Sequence, residues 1–169
     1  MQTSGLFSFP DPVNEVSARL VAGGVVVMAA AITIGGQHWL IAALAYGFVA
    51  RVLTGPTLSP LGQFVTRVVT PALSVRERPV AGPPKRFAQG IGATLSVAAA
   101  VAHFGFGATG PAVALVAAIL VAASLEAFIG FCLGCWFFAR LMSVGLVPES
   151  VCEACADVSA RLGTPVAAR

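Results

Sequence analysis

Two long hydrophobic runs without a charged residue constrain the fold of this chain more than any other feature. They cover residues 20–50 and 87–125, and each exceeds the roughly 20 apolar residues that cross a bilayer once. Turn-forming residues interrupt each run near its middle, at residues 35–38 and 105–111. The pattern predicts an all-α integral membrane protein with four transmembrane helices arranged as two hairpins.

Composition supports this class and limits the partners. The chain is 57% hydrophobic and only 10% charged, whereas soluble domains carry roughly 25% charged residues. Its formal net charge of +3 is small, and its basic residues form no continuous run. We therefore expect the lipid bilayer, and not nucleic acid, as the main partner.

The distribution of charge predicts the topology. The connection between the two hairpins, residues 51–86, contains one acid, Glu77, and these basic residues: Arg51, Arg67, Arg76, Arg78, Lys85 and Arg86. The two hairpin tips carry no charge. Because basic loops stay on the cytoplasmic side, we expect this connection and both termini in the cytoplasm, with the chain in a bacterial inner membrane. The four cysteines would then face a reducing compartment, where stable structural disulfides are rare.

We predict a single membrane domain over residues 1–169. The expected transmembrane helices cover residues 15–35, 38–53, 87–104 and 111–138. A cytoplasmic loop is expected at 54–86, with an irregular linker at residues 79–84, and a C-terminal tail with a short helix at 141–169. Within the loop, apolar residues at helical spacing predict a short amphipathic helix on the membrane surface: Leu61, Phe64, Val65, Val68 and Val69. The third helix is rich in small residues, which predicts central packing and offers a face for a homo-oligomer.

Residues 125–136 place an acid, two glycines and a Cys-x-x-Cys pair inside a hydrophobic segment. On a continuous helix Glu126, Gly130 and Gly134 would share one face, and the glycines would form a helix contact surface. An ionised carboxylate is costly in lipid, so Glu126 must be protonated, paired or hydrated. Either a structural ion pair or a proton-handling role fits it. The expected partners at the same side of the membrane are Arg19, Arg51 and Arg86.

All four cysteines are arranged as two Cys-x-x-Cys pairs. Cys132 and Cys135 lie in the fourth helix, and Cys152 and Cys155 follow after a turn, with the full spacing C-x2-C-x16-C-x2-C. One interpretation is a redox or sulfur relay, because a Cys-x-x-Cys pair can lower one thiol's pKa and cycle between dithiol and disulfide. A second is a four-thiolate zinc site, since the spacing lies in that range. A third is that the thiols are inert and simply buried.

Several segments together resemble one bacterial family. They are Phe9-Pro10-Asp11-Pro12-Val13-Asn14-Glu15, Gly55-Pro56 with Ser59-Pro60, Gly82-Pro83-Pro84-Lys85-Arg86-Phe87-Ala88-Gln89, and Leu125-Glu126 followed by Gly130-Phe131-Cys132-Leu133-Gly134-Cys135. The chain resembles an uncharacterised family of small four-helix membrane proteins, a domain of unknown function with a Phe-Cys-x-Gly-Cys hallmark. Some members are thought to be encoded near thioredoxin-like or sulfurtransferase proteins. The resemblance implies a membrane fold and a soluble sulfur-handling partner, and it brings no established activity.

The expected function is a cytoplasm-facing thiol relay that uses both cysteine pairs. The competing expectation is a non-enzymatic membrane scaffold whose four cysteines hold zinc and whose basic loop docks a partner. No Ser-His-Asp constellation, phosphate loop or nucleotide fingerprint is visible in the sequence. Whether the chain is an enzyme stays open at this point.

Overall fold

The computed structural model describes residues 9–73, 78–148 and 151, and over these residues the chain forms six helices and one short strand pair. The helices are α1 (Glu15–Thr33), α2 (Leu40–Thr54), α3 (residues 60–72), α4 (Gly82–Ala100), α5 (Thr109–Ser124) and α6 (Leu133–Ser143). An antiparallel ladder joins β1 (Val13–Asn14) to β2 (Pro79–Val80). The mostly helical fold predicted from the sequence is confirmed, and this ladder is the departure from all-α.

Three of the helices contain or continue into a π-helical turn. These turns are Val65–Val69 within α3, Val101–Gly105 after α4 and Leu125–Ile129 after α5. A π-helical turn holds more residues than an α-helical turn, so the side chains that follow it point in rotated directions. Assignments of residues to helix faces that assume uniform α-helical spacing therefore fail beyond these points.

Three helices are long and apolar enough to cross a membrane: Glu15–Thr33, Gly82–Gly105 and Thr109–Ile129. Helix α2 is apolar but has 15 residues, which at 1.5 Å per residue gives about 22 Å against a hydrocarbon core of about 30 Å. A protein with membrane-compatible helices is thus confirmed. The fourth span and the hairpin arrangement remain predictions.

Two of the predicted helices need correction, the 87–104 helix at its start and the 111–138 helix in its continuity. Helix α4 begins at Gly82, within the segment predicted as a linker, because Pro83 occupies the first helical turn, where its missing N–H is not needed. The predicted 111–138 helix is not continuous, because it stops at Ile129 and a separate helix, α6, begins at Leu133.

The core lies between α1, α2, α4 and α5. Helix α2 packs along α4, α1 packs along α5, and α4 also contacts α5 and α6, as the small-residue composition of that segment predicts. The Phe48 ring lies where a side chain at Gly92 would be, so the glycine permits close packing of α2 on α4. The buried residues that form the core are Val25, Ala29, Ile32, Ile41, Leu44, Phe48, Ala99, Ala112, Val116, Ile119 and Ala123.

The predicted short helix in the loop is present as α3, but its apolar face is divided. Leu61 packs against the core and Val65 is buried, whereas Phe64 and Val68 are 57% and 54% exposed. The polar side also contributes to packing, because the hydroxyls of Thr70 and Ser17 lie 3.0 Å apart in a buried hydrogen bond with α1. The π-helical turn in α3 changes the predicted face.

Gly134 provides the first test of this packing. A Cβ at this position would lie 2.5 Å from the Ala88 Cα, so Gly134→Ala should lower the free energy of unfolding by about 1–3 kcal/mol through overpacking of α6 on α4. Gly90→Ala in α4 is the matched control, because a Cβ there meets nothing within 4 Å. Unfolding in mixed micelles measures both variants, and equal stability of the two would contradict the close approach.

Candidate functional site: a cysteine pair beside an ion pair

A left-handed glycine separates α5 from the cysteine pair. Gly130 has φ +77°, a conformation that other residues rarely adopt, and its N–H donates to the Glu126 carbonyl. The Arg19 Nη2 donates to the carbonyl oxygens of Ala127 and Phe128, at 3.2 Å each. The last turn of α5 is thereby capped by a cation from α1, which favours termination at this point.

The break places Cys132 in front of a helix instead of inside one. Its backbone is extended, with φ −89° and ψ 104°, and it is the N-cap of α6. Its Sγ accepts a hydrogen bond from the Cys135 backbone N–H at 3.3 Å, as an oxygen does in an ordinary N-cap. The prediction that both cysteines lie on a continuous transmembrane helix is therefore wrong. The two thiols are free and half-buried.

The thiol environments of the two cysteines differ. A hydrogen bond from the Cys135 side chain holds the pKa of the Cys132 thiol below its ordinary value. The same hydrogen bond, together with burial, raises the pKa of Cys135. Lys85 lowers the pKa of both thiols electrostatically and Glu126 raises it, and at Cys132 the effect of Glu126 is the larger of the two. The two thiols therefore differ in acidity, and Cys132 is the more acidic of the pair.

An ion pair lies beside the cysteines. The Lys85 Nζ is 2.5 Å from the Glu126 Oε1, and the two side chains are only 12% and 17% exposed. Among the described residues this is the one salt bridge. Because both side chains are largely buried, little water reaches their charges. Each charge is therefore compensated mainly by the other.

The partner of Glu126 is therefore Lys85, and not one of the three arginines predicted. Arg19 caps α5, Arg86 donates to the Val52 carbonyl at 3.1 Å, and Arg51 binds Gln89 and Ser59. Lys85 was missed because residues 79–84 were predicted as a linker. With the helix beginning at Gly82, Lys85 lies in the first turn of α4 and faces α5. The two prolines after Gly82 were the sequence signal that could have located this helix start, because proline is common in the first turn of a helix.

A cavity of about 250 Å³ opens beside these residues. Glu126 and Cys132 both line it, together with apolar residues of α1, α4, α5 and α6. On a continuous helix the acid and the thiols would face different directions, and proton transfer between them would need a distortion of the helix. The π-helical turn and the Gly130 break supply that distortion, so Glu126 and Cys132 share one cavity wall.

The structure leaves the four-cysteine arrangement untested. Cys152 and Cys155 lie outside the described residues. Within the part of the chain that the structure describes, no group of three or more His, Cys, Asp or Glu side chains is placed to hold a metal ion. Zinc binding by Cys132, Cys135, Cys152 and Cys155 therefore stays a prediction.

The two histidines lie together, away from the cysteines. The rings of His38 and His103 are 5.2 Å apart between centroids. The His103 Nδ1 lies 3.1 Å from the Thr109 hydroxyl. These contacts join the turn before α2 to the connection between α4 and α5, so both histidines take part in packing at that end of the helices.

One comparison with known proteins identifies the family. The family model described as a domain of unknown function, DUF4395, matches residues 13–143, which is most of the chain. No curated protein and no solved structure matches significantly. The chain therefore belongs to the DUF4395 family, in agreement with the resemblance to an uncharacterised family.

The Lys85–Glu126 pair can be tested by a double-mutant cycle. Glu126→Leu and Lys85→Met should each lower the free energy of unfolding by about 3 kcal/mol, because each leaves one charge buried without a partner. The double variant should lose less than the sum of the two. Glu126→Gln should be tolerated better than Glu126→Leu, since its amide oxygen still accepts from Lys85. Additive losses, or full stability of Glu126→Leu, would exclude a structural ion pair.

Proposed function

We propose that this member of the DUF4395 family is a membrane thiol relay, in which Cys132 and Cys135 exchange disulfide or persulfide sulfur with a soluble partner on the cytoplasmic side. The observation that carries the proposal is the position of Cys132. Its sulfur accepts the Cys135 N–H at a helix N-terminus, where backbone donors and the helix dipole stabilise a thiolate.

The relay requires a defined membrane topology. We infer four spans in two hairpins, with α2 as the second span, and with both termini and the 54–86 loop in the cytoplasm of a bacterium. The large exposed apolar residues on the helices, such as Val27, Phe104 and Val121, suit a lipid environment. Trp39 is exposed just before α2 and suits an interfacial position that lengthens this short span.

The proposed exchange proceeds through a mixed disulfide. The Cys132 thiolate attacks the partner's disulfide, forms one S–S bond to it and releases one partner sulfur as a thiolate. Cys135 then loses its proton and attacks Cys132, which releases the second partner thiolate and leaves a Cys132–Cys135 disulfide. The partner gains two electrons and the pair loses two. Cys152 and Cys155, as a dithiol, would restore the pair by the same exchange and become oxidised themselves.

The ion pair has a place in this exchange. The positive charge of Lys85 lowers the pKa of Cys132, whereas the larger effect of the Glu126 carboxylate raises it. Glu126 lines the same cavity as Cys132, and we infer that it accepts the proton that Cys135 must lose. Thioredoxin-like and sulfurtransferase proteins are the proposed partner classes, because both present a reactive cysteine sulfur to an acceptor.

The alternative proposal is a non-enzymatic scaffold, in which all four cysteines hold one zinc ion and small-residue helix faces join copies of the chain. The spacing C-x2-C-x16-C-x2-C favours it. In a zinc site all four sulfurs act as thiolates at about 2.3 Å from the ion. The two proposals therefore differ at Cys135, which begins the exchange as a protonated thiol in the relay and is a metal-bound thiolate in the zinc site.

Alkylation kinetics separate the proposals. Under a relay, iodoacetamide should modify Cys132 faster than Cys135 near pH 7, because Cys132 has the lowered pKa and Cys135 the raised one. Cys135→Ala removes the thiol hydrogen bond, so the midpoint of the Cys132 pH–rate profile should move to higher pH. Peptide mass spectrometry after timed alkylation measures both sites. Equal rates, or protection of both cysteines that is lost on zinc removal, would contradict the relay.

A further inference from the structure

Arg51 is a buried cation that the proposed relay does not use. It lies in the last turn of α2, and only 5% of it is exposed. Its Nε donates to the Gln89 Oε1 at 3.0 Å, its Nη1 donates to the Ser59 Oγ at 3.2 Å, and its guanidinium lies 4.6 Å from the Phe48 ring centroid. Its Nη2 is buried and has no hydrogen-bond partner among the described residues.

This arrangement leaves a positive charge without a counterion among the residues that the structure describes. A guanidinium keeps its charge in proteins, and buried charges are normally paired because desolvation is costly. No carboxylate of the described residues lies within 4.0 Å of Arg51, since the one salt bridge there joins Lys85 to Glu126. The amide of Gln89, the hydroxyl of Ser59 and the face of Phe48 supply only partial negative charge. Within the described part of the chain, Arg51 therefore has no full negative charge to balance its own.

A cavity adjoins this charge beside residues 9–14, which precede α1. It holds about 210 Å³, is distinct from the cavity that contains Cys132, and is lined by Arg51, Lys85 and Gln89. Apolar side chains, including those of Pro10, Pro12 and Val13, form most of its remaining wall. Its wall also includes Asn14, Ser17 and Thr66, and its Lys85 is already paired with Glu126. Arg51 is therefore the cation of this largely apolar cavity that has no charged partner among the described residues. A cation in such a wall can recognise an anionic group attached to an apolar body.

We propose that this cavity is a binding site for a small amphipathic anion. Its oxyanion, a carboxylate or a phosphate, pairs with Arg51 and lies near Lys85, and its apolar part lies along Pro10, Pro12 and Val13. The planar fork of the guanidinium favours oxyanions with two acceptor atoms. Such a group has two sources, a soluble organic anion and the headgroup of an anionic lipid.

The test uses the full chain, purified in detergent and reconstituted in phosphatidylcholine nanodiscs. Hexanoate is the soluble probe, and replacement of part of the phosphatidylcholine by phosphatidylglycerol is the lipid probe. Hexanoate should raise the midpoint of thermal unfolding saturably, because it binds the folded chain. A rise with phosphatidylglycerol alone assigns the same site to a lipid headgroup. No saturable rise with either probe would overturn the proposal.

Three variants locate the effect. Arg51→Gln should weaken the response by about tenfold or more, because it removes a charged hydrogen-bond donor. Ala18→Leu fills the cavity from α1 without changing charge and should also abolish the response, which keeps the test decisive if Arg51→Gln does not fold. Arg67→Gln, at an exposed cation on α3, should respond like the parent. A full response in folded Arg51→Gln or in Ala18→Leu would overturn the site.

Discussion

The backbone reversal at Gly130 is the constraint on which the candidate site depends. A left-handed residue here stops α5, and the following extended segment delivers Cys132 to the first position of α6. A Cβ at residue 130 would lie at ordinary contact distance from the Arg19 guanidinium, 3.4 Å, so the left-handed backbone is what favours glycine at this position. In a continuous helix the backbone N–H groups around Cys132 would already donate hydrogen bonds within the helix. The break exposes its sulfur to the free N–H groups of a helix N-terminus.

The charges at this end of the bundle are satisfied in different ways, and this determines their roles. Arg19 binds helix carbonyls and Arg86 binds the Val52 carbonyl, so both hold helix ends together. Lys85 binds Glu126, so the two opposite charges offset each other beside the cysteines. Of the three arginines, Arg51 alone is buried, and its hydrogen-bond partners among the described residues are neutral. A low-dielectric surrounding strengthens each of these interactions and makes an unpaired donor costly.

Hydrophobic periodicity and charge were sufficient to predict the class of protein. The two uncharged runs indicated membrane helices, and the small residues of the third helix indicated its central packing. The helical spacing of apolar residues 61–69 indicated a short helix in the loop. Each of these depends on composition or local spacing, which a sequence displays directly. The family resemblance was also correct, since the DUF4395 model covers residues 13–143.

The geometry of the site could not be predicted in the same way. A glycine in a hydrophobic run is as compatible with helix packing as with a helix end, so Gly130 was assigned to a contact surface, while Gly134 does make such a contact. The π-helical turn at Leu125–Ile129 has no local sequence signature, yet it changes the direction of Glu126. Lys85 was placed outside its helix because prolines were interpreted as a linker. In each case a tertiary contact decided between two locally acceptable conformations.

The reduction potential of the Cys132–Cys135 pair tests the central claim most directly. The full chain would be equilibrated in glutathione redox buffers, and the fraction of the pair present as disulfide would be measured by acid quenching and differential alkylation with mass spectrometry. The account predicts a reversible two-electron transition within the range of cytoplasmic thiol oxidoreductases, about −200 to −270 mV. The transition should be lost in both Cys132→Ala and Cys135→Ala. A pair that stays dithiol across all buffers, with zinc retained by the purified chain, would contradict the relay and favour the scaffold.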